Sequence, residues 1–109
     1  MLSEQEFQHN ADAALQALFS RLAAASGGYD FDVDMNSGAL TVEFEEPRER
    51  FVVSPNSPVR QIWVSAHVQS FKFDWSPERS AFVLSSSGQS LDEMMADAIR
   101  KRIPEFTLG

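Results

Sequence analysis

The stretch that decides the fold runs from residue 29 to residue 46 and reads YDFDVDMNSGALTVEFEE. Apolar and polar residues alternate in it on both sides of Asn36-Ser37-Gly38. A side-chain period of two is typical of a strand with one buried face, and Asn, Ser and Gly tolerate the backbone geometry of a turn. The stretch therefore predicts a β-hairpin that has one apolar side and one acidic side.

The acidic side of this hairpin carries carboxylates and no lysine or arginine: Asp30, Asp32, Asp34, Glu43, Glu45 and Glu46. Like charges that lie opposite each other on one sheet face destabilise the sheet. We therefore expect that a cation or a basic partner binds these carboxylates and offsets their repulsion. Side chains on one face of a strand lie about 6.5–7 Å apart, too far for a tight cage around one ion. Such carboxylates can hold a hard cation such as iron weakly, with water completing the coordination. The alternative is a solvated acidic surface that prevents edge pairing.

The rest of the chain predicts two helices and further strands around the hairpin. Capping boxes at Ser3–Glu6 and Ser90–Glu93 mark the helix starts, and the first helix is expected over residues 3–25. Between them, short strands are predicted at 51–53, 61–66, 71–75 and 81–84, with turns at 46–50 and 54–58. We expect a single α+β domain over residues 1–109. It is a two-layer sandwich in which both terminal helices cover one face of an antiparallel sheet of about five or six strands.

Composition narrows the classes of function. The 109 residues carry a net charge of −7 and no cysteine. An acidic chain does not attract nucleic acid or anionic membranes, and thiol chemistry is excluded. The chain has no apolar run long enough to span a membrane and no basic targeting segment. We expect a cytosolic type of protein, or a mature one, that acts on basic proteins or metal cations. We also expect it to be a monomer.

Trp63 is the second candidate for function. Ile62, Val64 and Ala66 take the core phase of their strand, so Gln61, Trp63 and Ser65 should face away from the helices. An exposed Trp is a common interface anchor, although it can also lie flat over its neighbours in a purely structural role. His9 and His67 have no ligand-spaced partner, and no motif supplies a nucleophile with a base and an oxyanion hole. We therefore expect no enzymatic activity.

The chain resembles the frataxin family, of the bacterial type called CyaY, over nearly its whole length. The residues that carry the resemblance follow one another in the family's order: Glu6-Phe7, Ala11-Asp12, Asp30-x-Asp32-x-Asp34-x-Asn36-x-Gly38-x-Leu40-Thr41, Pro58-x-x-Gln61-Ile62-Trp63, Phe73-Asp74-Trp75 and Ser87-Gly88.

The resemblance implies an α-β sandwich that takes part in iron–sulfur cluster assembly. Frataxins bind iron weakly through an acidic ridge and dock on a complex of cysteine desulfurase and scaffold protein. By position, Asp30, Asp32 and Asp34 match ridge residues, and Gln61 and Trp63 match the exposed sheet residues that contact the assembly machinery. Asp12 is a further partner-binding candidate. The family's ridge usually continues along the second half of the first helix, where this chain carries no acidic residue at 19, 20, 23 and 24.

Three hypotheses of function follow. The first is an iron-binding regulator or iron donor in iron–sulfur cluster assembly, in which the acidic hairpin steers the chain onto a basic patch of the desulfurase. The second is an acidic binding module such as a small secretion chaperone, which would dimerise and hold an unfolded effector. The third is a ferroxidase, which needs closely grouped carboxylate or histidine ligands, and the missing acids of the first helix argue against it.

Overall fold

The computed structural model describes residues 2–45 and 47–108. The elements in chain order are α1 (Glu4–Ser26), β1 (Asp32–Asn36), β2 (Ala39–Glu45), β3 (Arg48–Asn56), a 3₁₀ turn (Ser57–Val59), β4 (Gln61–Ala66), β5 (Gln69–Ser76), β6 (Ala81–Leu84) and α2 (Leu91–Arg100). The six strands form one antiparallel meander in the order β1-β2-β3-β4-β5-β6. The predicted sandwich of two terminal helices and one sheet is confirmed, with the sheet at the upper end of the expected strand number.

Both helices begin as the sequence predicts. The Ser3 hydroxyl accepts from the Glu6 backbone N–H, and the Glu6 carboxylate accepts from the Ser3 backbone N–H. Ser90 and Glu93 repeat the same pair of bonds at α2. Each box satisfies two backbone donors that the first turn of a helix leaves free.

The core lies between the helices and the inner face of the sheet. Five α1 side chains, from Phe7 to Leu22 at helical spacing, are buried there. The alternating apolar residues of β2 and β4 meet them, and Met95 and Ile99 of α2 complete the layer. All the buried residues among those described are apolar, so the hydrophobic effect, at roughly 25 cal/mol per Å² of buried apolar surface, is the main stabilising term.

The third strand differs from its prediction. The sequence suggested a short strand over residues 51–53 between a polar turn and a proline-rich turn, whereas β3 spans nine residues and includes Pro55. The last residue of β3 paired with β2 is Val53, while pairing with β4 continues to Asn56. Pro55 therefore lies where β3 is locally an edge strand, and an edge tolerates a residue that has no N–H to donate.

The first strand also begins later than predicted. β1 starts at Asp32 rather than at Tyr29, and Asp30 lies in the bend before it. The aromatic rings of Tyr29 and Phe31 still pack toward the core, where both contact the ring of Phe106 in the C-terminal segment. The segment after α2 is thus held against the start of the hairpin.

Candidate functional site: the helix-free face of the sheet

The outer face of the sheet, on the side away from the helices, carries most of the predicted site residues. Strand alternation places Asp32 and Asp34 of β1 and Glu43 and Glu45 of β2 there, all exposed, while Val42 and Phe44 are buried. Trp63 emerges on the same face, since its neighbours Ile62 and Val64 are 0% and 1% exposed. The face therefore combines an acidic edge at β1–β2 with an aromatic side chain at β4.

The register within the acidic edge decides which charges meet. Asp32 lies opposite Glu43, whereas Asp34 lies opposite Thr41. Directly opposed residues have Cβ atoms about 4.5–5.5 Å apart, so Asp32 and Glu43 are the directly opposed like charges in the paired residues of β1 and β2. Asp30 is exposed but lies before the strand, and Glu46 lies outside the described residues.

Arginines from β3 partly balance the hairpin, which the sequence analysis did not foresee. Arg50 lies opposite Glu43, with 3.5 Å between its Nη2 and Glu43 Oε1, and Arg48 lies opposite Glu45. Both partners of the Glu43–Arg50 pair are about half exposed or more, so the pair contributes little stability. The excess negative charge is consequently concentrated on Asp30, Asp32 and Asp34, at the β1 edge.

The described residues of the hairpin do not form a closed metal site. In the part of the chain that the structure describes, no three His, Cys, Asp or Glu side chains come close enough to hold an ion together. Asp32 and Glu43 can nevertheless share a hard cation across the two strands, provided that water supplies the other ligands. A pair of carboxylates of this kind is suited to weak, exchangeable binding of a hard cation rather than to a tightly held metal.

Trp63 is held in place by a chain of polar contacts. Its indole Nε1–H donates to Gln61 Oε1 at 2.9 Å, and Gln61 Nε2 donates to Asp74 Oδ1 at 3.1 Å. Lys72, which lies opposite Trp63 on β5, places its Nζ 4.9 Å from the ring centroid. The hydrogen bond to Gln61 and the contact with Lys72 orient the indole ring, while 38% of Trp63 stays exposed.

A shallow depression beside Trp63 completes this part of the face. It has a volume of about 350 Å³ and is lined on β3, β4 and β5 by Val52, Ser54, Ser65, Ser70 and Lys72 in addition to Trp63. An indole next to a part-apolar depression is the usual composition of an interface anchor. Gln61 is oriented toward Trp63, so its role on this face includes positioning the ring.

Lys72 and Asp74 belong to this site, although the sequence analysis did not select them. The alternation of β5 could have identified them, because Phe71, Phe73 and Trp75 take its inner phase and leave Lys72 and Asp74 on the outer face. Asp12, in contrast, lies on the exposed side of α1, in the other layer of the sandwich. The structure does not bring Asp12 together with Gln61 and Trp63.

No helix in the described parts of the chain is long and apolar enough to cross a membrane.

Comparison with known proteins identifies the family. A frataxin-like domain matches residues 1–105. A protein of Pseudomonas putida strain GB-1 named iron-sulfur cluster assembly protein CyaY is 33% identical over 104 residues, covering 95% of this chain and 92% of its own length. A protein of the same name from Pseudomonas syringae pv. tomato is 33% identical over 95 residues, covering 87% of this chain and 84% of its own length.

Two solved structures share the fold. A frataxin from Psychromonas ingrahamii superposes with a TM-score of 0.84 at 24% identity, covering 97% of this chain and 96% of its own. Yeast frataxin superposes with a TM-score of 0.68 at 21% identity, covering 97% and 87%. Since the domain match spans nearly the whole sequence and the bacterial relatives align along it, the chain belongs to the frataxin-like family and is of the bacterial CyaY-like type.

Proposed function

We propose that this protein takes part in iron–sulfur cluster assembly, as an iron-binding regulator or iron donor that docks on a complex of cysteine desulfurase and scaffold protein. Family membership supports the general role, since the bacterial relatives are named as iron–sulfur cluster assembly proteins. The observation that carries the docking mechanism is the outer sheet face, where an acidic edge and an exposed, positioned Trp63 lie on one surface.

The acidic edge supports an electrostatic encounter with a basic partner. Excess negative charge at β1 raises the association rate with a positively charged surface, and the effect weakens as salt increases. Trp63 and its depression would then provide the short-range contact, since large aromatic side chains dominate binding energy at interfaces. Iron bound between Asp32 and Glu43 would neutralise part of the edge and thereby change how the partner docks.

The proposed protein is a monomeric cytoplasmic accessory factor without catalysis of its own. The alternative of a small secretion chaperone requires a stable dimer, and the frataxin-like family membership favours the assembly role over it. Light scattering separates the two, because a monomer has a mass near 12.2 kDa and a dimer twice that.

The first experiment is calorimetric titration of the full chain into a bacterial cysteine desulfurase at two salt concentrations, with and without Fe²⁺. The parent is compared with the double variant Asp32→Asn/Asp34→Asn. The matched control is Glu78→Gln/Glu105→Gln, which removes the same charge at exposed positions outside the strands, in the β5–β6 turn and the C-terminal segment. We expect the hairpin variant to bind at least tenfold more weakly at low salt, and the control to bind like the parent.

A second variant tests the aromatic anchor. Trp63→Ala should weaken binding to the desulfurase–scaffold complex by about 2 kcal/mol or more, the size typical of an interface hot spot, at low and at high salt alike. If the hairpin variant and its control lose the same binding affinity, the effect comes from net charge and not from the position of the charges on the hairpin. Absence of binding by the parent under all conditions would overturn the proposed docking.

A further inference from the structure

His67 is held between two hydrogen-bond acceptors. Its Nε2 lies 2.8 Å from the carbonyl oxygen of Ala98, in α2. Its Nδ1 lies 3.3 Å from Glu49 Oε2, on β3. A neutral imidazole has one N–H and one lone pair, so it can donate to only one of these acceptors. The geometry is satisfied in full only by the imidazolium, which donates through both nitrogens.

The surroundings of His67 are partly shielded from water. The side chains of His67 and Glu49 are about one quarter exposed, and that of Arg102 is 14% exposed. The ring of Phe51 packs edge-on against the imidazole, with 4.9 Å between the centroids. Charges in such a place are screened less than charges on the open surface.

Two charged groups and one helix end act on the imidazole from the elements around it. The Glu49 carboxylate and the C-terminal carbonyls of α2 favour its positive charge. Arg102 opposes it, because its Nη1 donates to the other oxygen of Glu49 at 2.9 Å. Glu49 is therefore shared between the two cations, one on the β4–β5 turn and one just after α2.

The turn that carries His67 is strained. His67 and Val68 have φ angles of 52° and 57°, as a two-residue hairpin turn of type I′ requires. Neither residue is a glycine, and a β-branched side chain such as that of Val68 is sterically unfavourable in this region. Val68 is fully exposed and gains no packing in return. The contacts of His67 thus add to the β4–β5 pairing in holding the turn against α2 and β3.

We propose that His67 is a protonation-dependent latch that ties the β4–β5 turn and β3 to the C-terminal end of α2. The latch closes when the imidazole is charged and loosens when it is neutral. The two hydrogen bonds of the imidazolium stabilise the fold while the ring is charged, and one of them is lost when the ring gives up its proton as the pH rises.

The segment after α2, which the latch holds, also contacts the acidic hairpin. Arg102 also donates to the carbonyl of Pro47, just beyond β2, at 2.7 Å. Farther along the same segment, Phe106 packs on Phe31, the residue before β1. Loosening the end of α2 frees a segment that braces both ends of the hairpin, so the latch couples pH to the rigidity of the acidic edge.

Native-state hydrogen exchange tests the latch in the full chain. The probes are the amides of Arg102, Ile103 and Phe106, which bond to carbonyls of Ile99 and Ile103 at this end of the molecule. Between pH 5.5 and pH 8 we expect their protection factors, corrected for intrinsic exchange, to fall about tenfold relative to amides of β2–β3, the size of one charge-assisted hydrogen bond. His67→Gln should abolish this dependence.

The chain offers a matched control in its second histidine, since His9 is exposed on α1. His9→Gln should keep the full pH dependence, and its NMR spectrum at pH 5.5 should show both ring N–H protons of His67 in slow exchange with water. The proposal is overturned if His67→Gln retains the parent's dependence, if the parent shows none, or if those ring protons are absent. The measurement of the ring N–H protons tests the proposal even if His67→Gln does not fold, because it is made on a protein that keeps His67.

Discussion

At the scale of single residues, the hairpin depends on two backbone conformations that most residues avoid. Ser37 and Gly38 connect β1 to β2 with φ angles of 54° and 83°, and Asn36 pairs with Ala39 across them. A type I′ turn has this geometry, and its twist matches that of the strands. The Gly at the second position removes the steric cost that a Cβ would add there. The whole register of the acidic edge follows from this turn.

Gly38→Ala should lower the free energy of unfolding by about 1–2 kcal/mol, because alanine is strained at a positive φ even where space is open around it. Urea unfolding measures the change. Gly27→Ala is the control, since Gly27 has a φ of −64° and a Cβ there would also meet nothing. Gly27→Ala should be neutral or slightly stabilising. Equal effects at the two positions would contradict the explanation.

At the scale of elements, both helices begin with a capping box that contains a glutamate carboxylate. Backbone and hydroxyl hydrogen bonds from Ser3 lower the pKa of Glu6, and those from Ser90 lower the pKa of Glu93, with a smaller contribution from Arg79. A carboxylate near the N-terminus of a helix also interacts favourably with the helix dipole. Each carboxylate thus contributes stability in its ionised form.

The capping carboxylates should make stability fall on acidification. Their contribution is complete above the pKa of a free Glu, about 4.3, and is lost as the pH falls through the lowered folded-state pKa. Urea unfolding from pH 5 to pH 3 should show a smaller loss in Glu6→Gln and Glu93→Gln than in the parent. Glu78→Gln, which caps no helix, should behave like the parent. Carboxyl NMR titration that found Glu6 and Glu93 at the free value would refute this account.

Pairing of β1 with β2 places two like charges opposite each other, and their repulsion destabilises the fold. Asp32→Asn should raise the free energy of unfolding by about 0.2–1 kcal/mol, because it removes the repulsion from Glu43 directly opposite. Asp34→Asn is the control, since it removes the same charge opposite Thr41 and should give a smaller gain. The difference should vanish near 1 M salt, where screening acts over about 3 Å. A larger gain from Asp34→Asn would show that register does not govern the repulsion.

At the scale of the whole molecule, the fold is closed by long-range contacts of its C-terminal segment. Phe106 is 1% exposed and packs against the rings of Tyr29 and Phe31. The Tyr29 hydroxyl donates to the carbonyl of Glu105, and Arg100 Nε donates to that of Phe106. An ion pair between Arg21 and Asp92 joins the two helices directly. The ends of the chain therefore stabilise the layer beneath the acidic edge.

Phe106→Ala should lower the free energy of unfolding by about 3–5 kcal/mol, the range for removing a buried aromatic ring. That loss is a large part of the total stability of a domain of this size. Glu105→Ala is the control, because its exposed side chain can be removed while its backbone carbonyl still accepts from Tyr29. Thermal and urea unfolding measure both. A loss near that of the control would mean that the C-terminal segment does not close the core.

Local patterns predicted most of the architecture and much of the candidate site. Period-two alternation determined which side chains of each strand face outward, so Trp63 and the acidic residues of β1 and β2 were correctly placed on the outer face. The capping boxes marked both helix starts. These signals work from the sequence alone because they depend on residues a few positions apart, where the geometry of one element applies.

Only the tertiary structure decided which residues meet across elements. The length of β3 depends on where β2 stops pairing, and this pairing sets Arg48 and Arg50 against the hairpin's glutamates. The contact of His67 with α2 joins residues 31 positions apart. Alternation assigns a side chain to a face but not to a partner, because register and helix docking depend on how the whole core packs. The sequence by itself thus determined which side chains lie on each face of the sheet. Packing of the whole core determined which charged residues pair with one another.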